Sequence, residues 1–96
     1  MADELTFDWD EANIRHISDH DVAPEEAEQA LANDPLELEP EYIRGEERFP
    51  SIGRTDAGRW LVVITTLRGP KVRVVTAFDA GKRSIDVYLK EKGTSE

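Results

Sequence analysis

The sequence predicts an α+β domain: two N-terminal helices packed on a three- to four-stranded antiparallel sheet, with a short C-terminal helix. Apolar residues recur at helical spacing before Pro35, and the spacing changes to two after Glu47. The charge changes at the same place, because residues 1–47 carry sixteen acids and two bases, whereas residues 48–96 carry five acids and ten bases. Helices followed by strands are typical of the α+β class, and 96 residues suit a single domain spanning 1–96.

The acidic half is expected to contain both N-terminal helices. Asp8, with Glu11 three residues later, has the pattern of a capping box, so the first helix is expected to extend to about Asp19. Pro24 suits the first position of the second helix, and Asn33-Asp34-Pro35 should end it.

The basic half is expected to form the sheet. The predicted strands are two short edge segments, Leu5–Phe7 and Leu36–Leu38, an irregular strand Arg48–Thr55, a central strand Trp60–Thr66, and Lys71–Ala77. In the last strand, strict alternation puts Val72, Val74 and Thr76 on one face and Arg73 and Ala77 on the other. A hairpin loop is expected around Gly58, and a C-terminal helix over Gly81–Lys92.

The buried core follows from these elements. The residues expected to be largely buried are Trp9, Ile14, Ile17, Leu31, Leu61, Val63, Val72 and Val74.

Composition excludes several kinds of chemistry. The chain has no cysteine, so it can form no disulfide and no thiolate metal site. Its acidic start is unlike a signal peptide, and its longest apolar run, Trp60–Ile64, is too short to span a bilayer. No glycine-rich phosphate loop and no nucleophile elbow occurs. These features predict a cytoplasmic protein without a cofactor or membrane contact.

Two histidines are candidate functional residues. His16 and His20 are four positions apart and would share a face of a continuous helix. Two imidazoles fall short of the three or four ligands that zinc takes, so no metal site is expected. The alternative is that one of them packs beside Trp9 and the other caps a helix or lines a groove.

The basic side chains of the second half are candidate phosphate ligands. Those considered are Arg48, Arg54, Arg59, Arg73, Lys82 and Arg83. Arginine suits bidentate phosphate recognition, but an ordinary solvated sheet face is the alternative. RNA cleavage without a metal needs a base for the 2′-hydroxyl, a cation for the phosphorane and an acid for the leaving oxygen. Histidine, arginine, lysine and tyrosine can fill these roles.

Several segments, in this order, resemble the BrnT-type toxin family, RelE-like ribonuclease toxins of bacterial toxin–antitoxin pairs. They are Phe7–Ile14, the histidine-containing junction His16–Ala27, the helix stop Asn33–Pro35, Glu47-Arg48 with the hairpin Ile52–Leu61, and Val72–Ala77. The resemblance implies a ribonuclease, a cognate antitoxin as partner, and oligomers formed through that antitoxin. It implies RNA as the substrate.

The C-terminal part departs from the family pattern. Members usually follow Ala77 with arginine and a Glu-Arg-Arg-x-x-Tyr-like helix, whereas this chain has Phe78, then Ser84, Ile85 and Asp86 before Tyr88. At the histidine junction, Asp19 and Asp21 replace the usual lysine and glycine. Several cations that the family would bring to RNA are therefore replaced.

Two interpretations follow. The first is a metal-independent ribonuclease with catalytic residues His20, Arg48 and Arg73, and with RNA bound by Arg54, Arg59, Lys82 and Arg83. The second is a catalytically weakened relative that keeps the scaffold for protein binding. Because Phe78 cannot donate a hydrogen bond to phosphate and Asp86 would repel one, we expect weak cleavage or none.

Overall fold

A computed structural model describes residues 5–93 of the chain. Within these residues the elements are α1 (Glu11–Ser18), α2 (Pro24–Ala32), β1 (Leu36–Glu37), β2 (Glu41–Ile43), β3 (Glu46–Arg54), β4 (Trp60–Arg68), β5 (Lys71–Asp79) and α3 (Lys82–Lys92). All strand pairs in the sheet are antiparallel. The predicted α+β class and the order of its helices are confirmed.

Helix α1 begins two residues later than predicted. Its N-cap is Asp10, whose carboxylate accepts the N–H groups of Ala12 and Asn13, while the Asn13 side chain accepts the N–H of Asp10. Asp8 lies outside the helix instead: its N–H donates to the Val72 carbonyl at 2.9 Å, which continues the pairing of this segment with β5. The predicted edge strand at Leu5–Phe7 is reduced to one parallel bridge between Phe7 and Val72.

Helix α2 has the predicted ends and packs closely on the sheet. Pro24 is its first residue, and Asn33 is its C-cap. It crosses β3 at Gly53, where an added Cβ would overlap the carbonyl oxygen of Ala30. The small residues Ala27 and Ala30 are fully buried there, so the helix can approach the strand.

The sheet has the order β1-β3-β4-β5, with β2 also paired with β3. Strand β4 has a partner on each side, which confirms the predicted central strand. Strand β2 lies in an acidic segment for which no strand is predicted, and β3 begins at Glu46 instead of Arg48. Acidic residues have low strand propensity, but the tight turn at Arg44-Gly45, where both residues have positive φ, brings the two strands into register.

A bulge in β5 changes which side chains face α1 and α2. Val74 pairs with Thr65 and Thr76 pairs with Ile64, so Val75 has no partner. The extra residue reverses the alternation beyond it. Ala77 is therefore buried on the same side as Val74, and the strict alternation predicted for this strand is wrong from Thr76 onward.

The core is divided between the two faces of the sheet. On the face covered by α1 and α2, called here the α1–α2 face, the buried cluster is Ile17, Val22, Ala27, Ala30, Leu61, Val63, Val74 and Ala77. On the other side, called the α3 face, Ile52, Val62 and Tyr88 are buried.

Burial agrees with most of the predicted core. Ile17, Leu61, Val63 and Val74 are buried. Trp9, Leu31 and Val72 are half-buried. The prediction for Ile14 is wrong, because α1 turns Asn13 and Ile17 toward the sheet and leaves Ile14 39% exposed.

Helix α3 is attached at the end of the sheet that carries Trp60. The Tyr88 hydroxyl donates to the carbonyl of Asp34 at 2.8 Å, and its ring lies 4.8 Å from the Trp60 ring, centre to centre. Lys92 pairs with Asp34 at 2.8 Å. Helix α3 therefore does not cover the opposite end of the α3 face, where Arg48 and Arg73 lie.

Candidate functional site

Three neighbouring strands and helix α1 place basic side chains around one shallow cavity. Thr66 pairs with Arg73 on β5, and its hydroxyl donates to the Glu47 carbonyl of β3 at 2.9 Å. Arg48 follows Glu47 and lines the same space. The cavity, called here the arginine cavity, has a volume of about 230 Å³ and includes His16, Arg48, Thr66, Arg68 and Arg73 in its lining.

Arg73 is held in place by two aspartates. Its terminal nitrogens lie 3.0 and 3.2 Å from the two carboxylate oxygens of Asp10, and one of them is 3.5 Å from Asp8. Hydrogen bonding to Asp10 raises the pKa of Arg73, and the same contact lowers the pKa of Asp10. The guanidinium is therefore a fixed cation at the wall of the cavity.

The aspartates also fix α1 relative to β5. Asp10 is the N-cap of α1, and the Asn13 amide donates to the carbonyls of Asp8 and Val74 at 3.0 and 3.2 Å. Asn13 is almost fully buried, so these hydrogen bonds form away from solvent. They place His16, one turn further along α1, beside Arg73.

The two histidines lie at the edge of this site. Their ring centres are 5.8 Å apart, although α1 ends at Ser18, and the ring of His20 is 6.0 Å from that of Phe78. His16 lines the arginine cavity, whereas His20 lies beside it. Within residues 5–93, no group of three or more metal-binding side chains is close enough to hold an ion.

The other predicted site residues lie at the far end of the sheet. Arg54 is six residues from Arg48 along β3, about 20 Å at the usual strand rise, and it stacks over Trp60 at 5.0 Å. Lys82 and Arg83 are exposed in the first turn of α3, where Lys82 pairs with Asp86 at 3.5 Å. The structure thus brings Arg48 and Arg73 together and separates them from these three.

Arg59 joins elements at that far end. Its guanidinium donates to Asp79 at 2.8 Å, to Glu26 at 3.0 Å and to the Asp21 carbonyl at 2.7 Å. Its hydrogen bond to Asp79 raises the pKa of Arg59 and lowers that of Asp79. These contacts connect α2 to the ends of β4 and β5.

The sequence alone did not place Arg68, Asp8 or Asp10 in the candidate site. Arg68 lies beyond the predicted strand Trp60–Thr66, but β4 continues to it, and its two-residue spacing from Thr66 puts it on the cavity side. Asp8 and Asp10 are close to Arg73 only because α1 docks on β5, so no local sequence signal could have paired them.

The family follows from the sequence match across these elements. The chain matches the family model described as "Ribonuclease toxin, BrnT, of type II toxin-antitoxin system" over residues 9–84. The chain belongs to the BrnT family. The recognised resemblance is thereby confirmed. No curated protein matches the chain.

Membership assigns the BrnT chain to the ribonuclease toxins of type II systems and gives it an antitoxin as partner. The matched segment contains the whole arginine cavity and both histidines, and it ends in the first turn of α3. Among residues 5–93, no helix is long and apolar enough to cross a membrane.

Proposed function

We propose that this chain cleaves RNA without a metal ion at the arginine cavity, in the bacterial cytoplasm. The observation that carries the proposal is the meeting of Arg48, Arg68 and Arg73 with His16 around one cavity. Arginines present forked donors to phosphate oxygens, and imidazole can accept and donate protons near neutral pH.

The proposed reaction uses these groups in fixed roles. A histidine, His16 or His20, takes the proton of the 2′-hydroxyl, and O2′ attacks the adjacent phosphorus. Arg48 and Arg73 stabilise the charge that develops on the phosphorane oxygens. The O5′–P bond breaks, the leaving oxygen takes a proton from the second imidazole, and the products carry a 2′,3′-cyclic phosphate and a 5′-hydroxyl.

Three features support a slow reaction. Arg73 already pairs with Asp8 and Asp10, and Arg48 pairs with Glu46 at 3.1 Å. These carboxylates offset the positive charge of the cavity. Phe78, beside His20, offers no donor to phosphate. The same features favour the second candidate function, a scaffold that binds protein partners and cleaves RNA weakly or not at all.

The first prediction concerns Arg73. We expect Arg73→Ala to slow RNA cleavage by about a hundred- to a thousandfold, the usual effect of losing one donor to a developing oxyanion. The measurement is cleavage of end-labelled RNA by the purified chain in the presence of EDTA. Arg15→Ala is the matched control, because Arg15 is exposed and its one ion pair within residues 5–93 is with Glu11 of its own helix.

Binding adds an independent measurement. RNA affinity should fall as salt rises, because neutralised phosphates release counterions, and the slope should be smaller in Arg73→Ala. Equal cleavage by the Arg73 and Arg15 variants, or loss of cleavage in EDTA, would contradict the proposed mechanism. Salt-dependent binding without detectable cleavage would favour the scaffold instead.

A further inference from the structure

The α1–α2 face of the sheet contains an apolar groove that the helices leave open. Its floor is formed by Phe49, Thr65, Leu67 and Val72 on β3, β4 and β5. Its walls include Leu5, Leu31 at the end of α2, and Leu38 after β1. The groove has a volume of about 620 Å³.

The groove is the continuation of the packed core without its helical cover. Where α1 and α2 lie on the sheet, Val63 and Val74 are completely or almost completely buried. Two same-face positions beyond Val63 on β4, Leu67 is 60% exposed, and Leu5 and Leu38 at the walls are 51% and 37% exposed. Clustered exposed apolar side chains mark interaction sites more often than single ones do.

The rim of the groove is acidic. Glu37 and Glu39 line it, and Glu41 follows on β2. None of these three carboxylates forms an ion pair with any residue from 5 to 93. An apolar floor with free acids along one wall complements a helix that has a leucine-rich stripe flanked by lysine or arginine.

We propose that this groove binds an amphipathic, basic helix of the antitoxin. The helix would extend the layer already formed by α1 and α2 and cover Phe49, Leu67 and Val72. Its basic side chains would pair with Glu37 and Glu39. The proposal uses the antitoxin partner given by family membership and is independent of the RNA-cleavage mechanism.

The groove and the arginine cavity are on opposite sides of the sheet. Thr65 lines the groove, whereas its neighbour Thr66 lines the cavity, because successive side chains of a strand point to opposite faces. Antitoxin binding at the groove can therefore be disrupted without changing the groups that would contact RNA.

The test measures affinity between the full chain and the protein encoded by the reading frame next to its gene, used as the antitoxin. Calorimetry would compare the unchanged chain with the double variant Leu38→Asp/Leu67→Asp. We expect at least a hundredfold weaker binding, because a charge would be buried at two anchor positions. Leu89→Asp is the matched control, because Leu89 is also an exposed leucine, at 42%, but lies on α3 and away from the groove. The affinity of this variant for the antitoxin should change less than about threefold.

Further measurements separate the outcomes. Thermal unfolding must show that the double variant is folded. A second variant, Glu37→Gln/Glu39→Gln, removes only charge and should weaken binding about tenfold at low salt and less at high salt. RNA binding or cleavage by the double variant should match the unchanged chain. Binding unaffected by the groove variants, binding lost in Leu89→Asp, or no binding to the unchanged chain would overturn the proposal. Concentration-dependent self-association abolished by the double variant would instead assign the groove to a second copy of this chain.

Discussion

Gly53 lies where α2 crosses β3, and the packing there leaves no room for a side chain. An added Cβ would overlap backbone atoms of Ala30, which cannot rotate away as a flexible side chain could. We expect Gly53→Ser to destabilise the fold by about 1–3 kcal/mol or more, measured by chemical denaturation. Gly81→Ser is the matched control, because that position is open and is the N-cap of α3, where serine is favoured. Equal losses in both variants would refute this explanation.

Arg44 has a backbone conformation that arginine rarely adopts. Its φ is +55°, and Gly45 after it has φ of +78°, so together they form the two-residue turn between β2 and β3. Asparagine tolerates the left-handed region better than arginine does. We expect Arg44→Asn to raise the free energy of unfolding by up to about 1 kcal/mol. Arg44→Gln removes the same charge without this preference, and a similar gain from it would point to charge and not to backbone strain.

At the scale of elements, polar contacts add to the apolar packing that attaches the helices to the sheet. Asn13 and Asp10 attach α1 to β5, and Arg59 attaches α2 to the ends of β4 and β5. The strands are held to one another by backbone hydrogen bonds, which do not titrate. Changes in protonation should therefore loosen helix attachment before they affect the strands.

The Asp79–Arg59 pair predicts a specific pH dependence. The pKa of Asp79 is lowered from 3.8 by its hydrogen bond to Arg59. A carboxyl with a lowered pKa in the folded state stabilises the fold above its unfolded-state pKa and loses that contribution as pH falls through the folded-state value. Below about pH 4, the stability of the unchanged chain should therefore fall more steeply than that of Asp79→Asn.

The measurement is the denaturation midpoint between pH 2 and 7. Asp86→Asn, which removes one partner of an exposed ion pair within α3, is the control. Its denaturation midpoint should fall below about pH 4 as steeply as that of the unchanged chain. If the midpoints of Asp79→Asn and of the unchanged chain fell equally steeply at low pH, the Asp79–Arg59 pair would not contribute to the acid sensitivity of the fold.

At the scale of the whole molecule, the two sheet faces have different coverings. The larger buried cluster lies under α1 and α2, and Val63 is at its centre with no exposed surface. We expect Val63→Ala to lower the free energy of unfolding by about 1–3 kcal/mol, combining lost transfer energy with a partly unrelaxed cavity. Val87→Ala is the control: Val87 lies on α3 and is 38% exposed, so this variant should change the melting midpoint much less. An unchanged midpoint in Val63→Ala would contradict the assigned core.

The sequence by itself determined the class of fold, the central strand, the ends of α2, the position of α3 and the family. Each of these depends on local signals, namely apolar spacing, Pro24, Asn33 and the order of motifs along the chain. It also singled out Arg48 and Arg73, although their predicted roles in RNA cleavage remain predictions.

Only the tertiary structure decided which of the basic residues meet. A bulge at Val75 reversed the pattern of β5, and the pairing of Phe7 and Asp8 with Val72 moved the start of α1 to Glu11. The contact of Arg73 with Asp10 joins residues that are far apart in the chain. Such contacts depend on how a helix docks on a strand, which local periodicity does not specify. For the same reason, the open groove beside Leu67 became visible only once the positions of α1 and α2 were known.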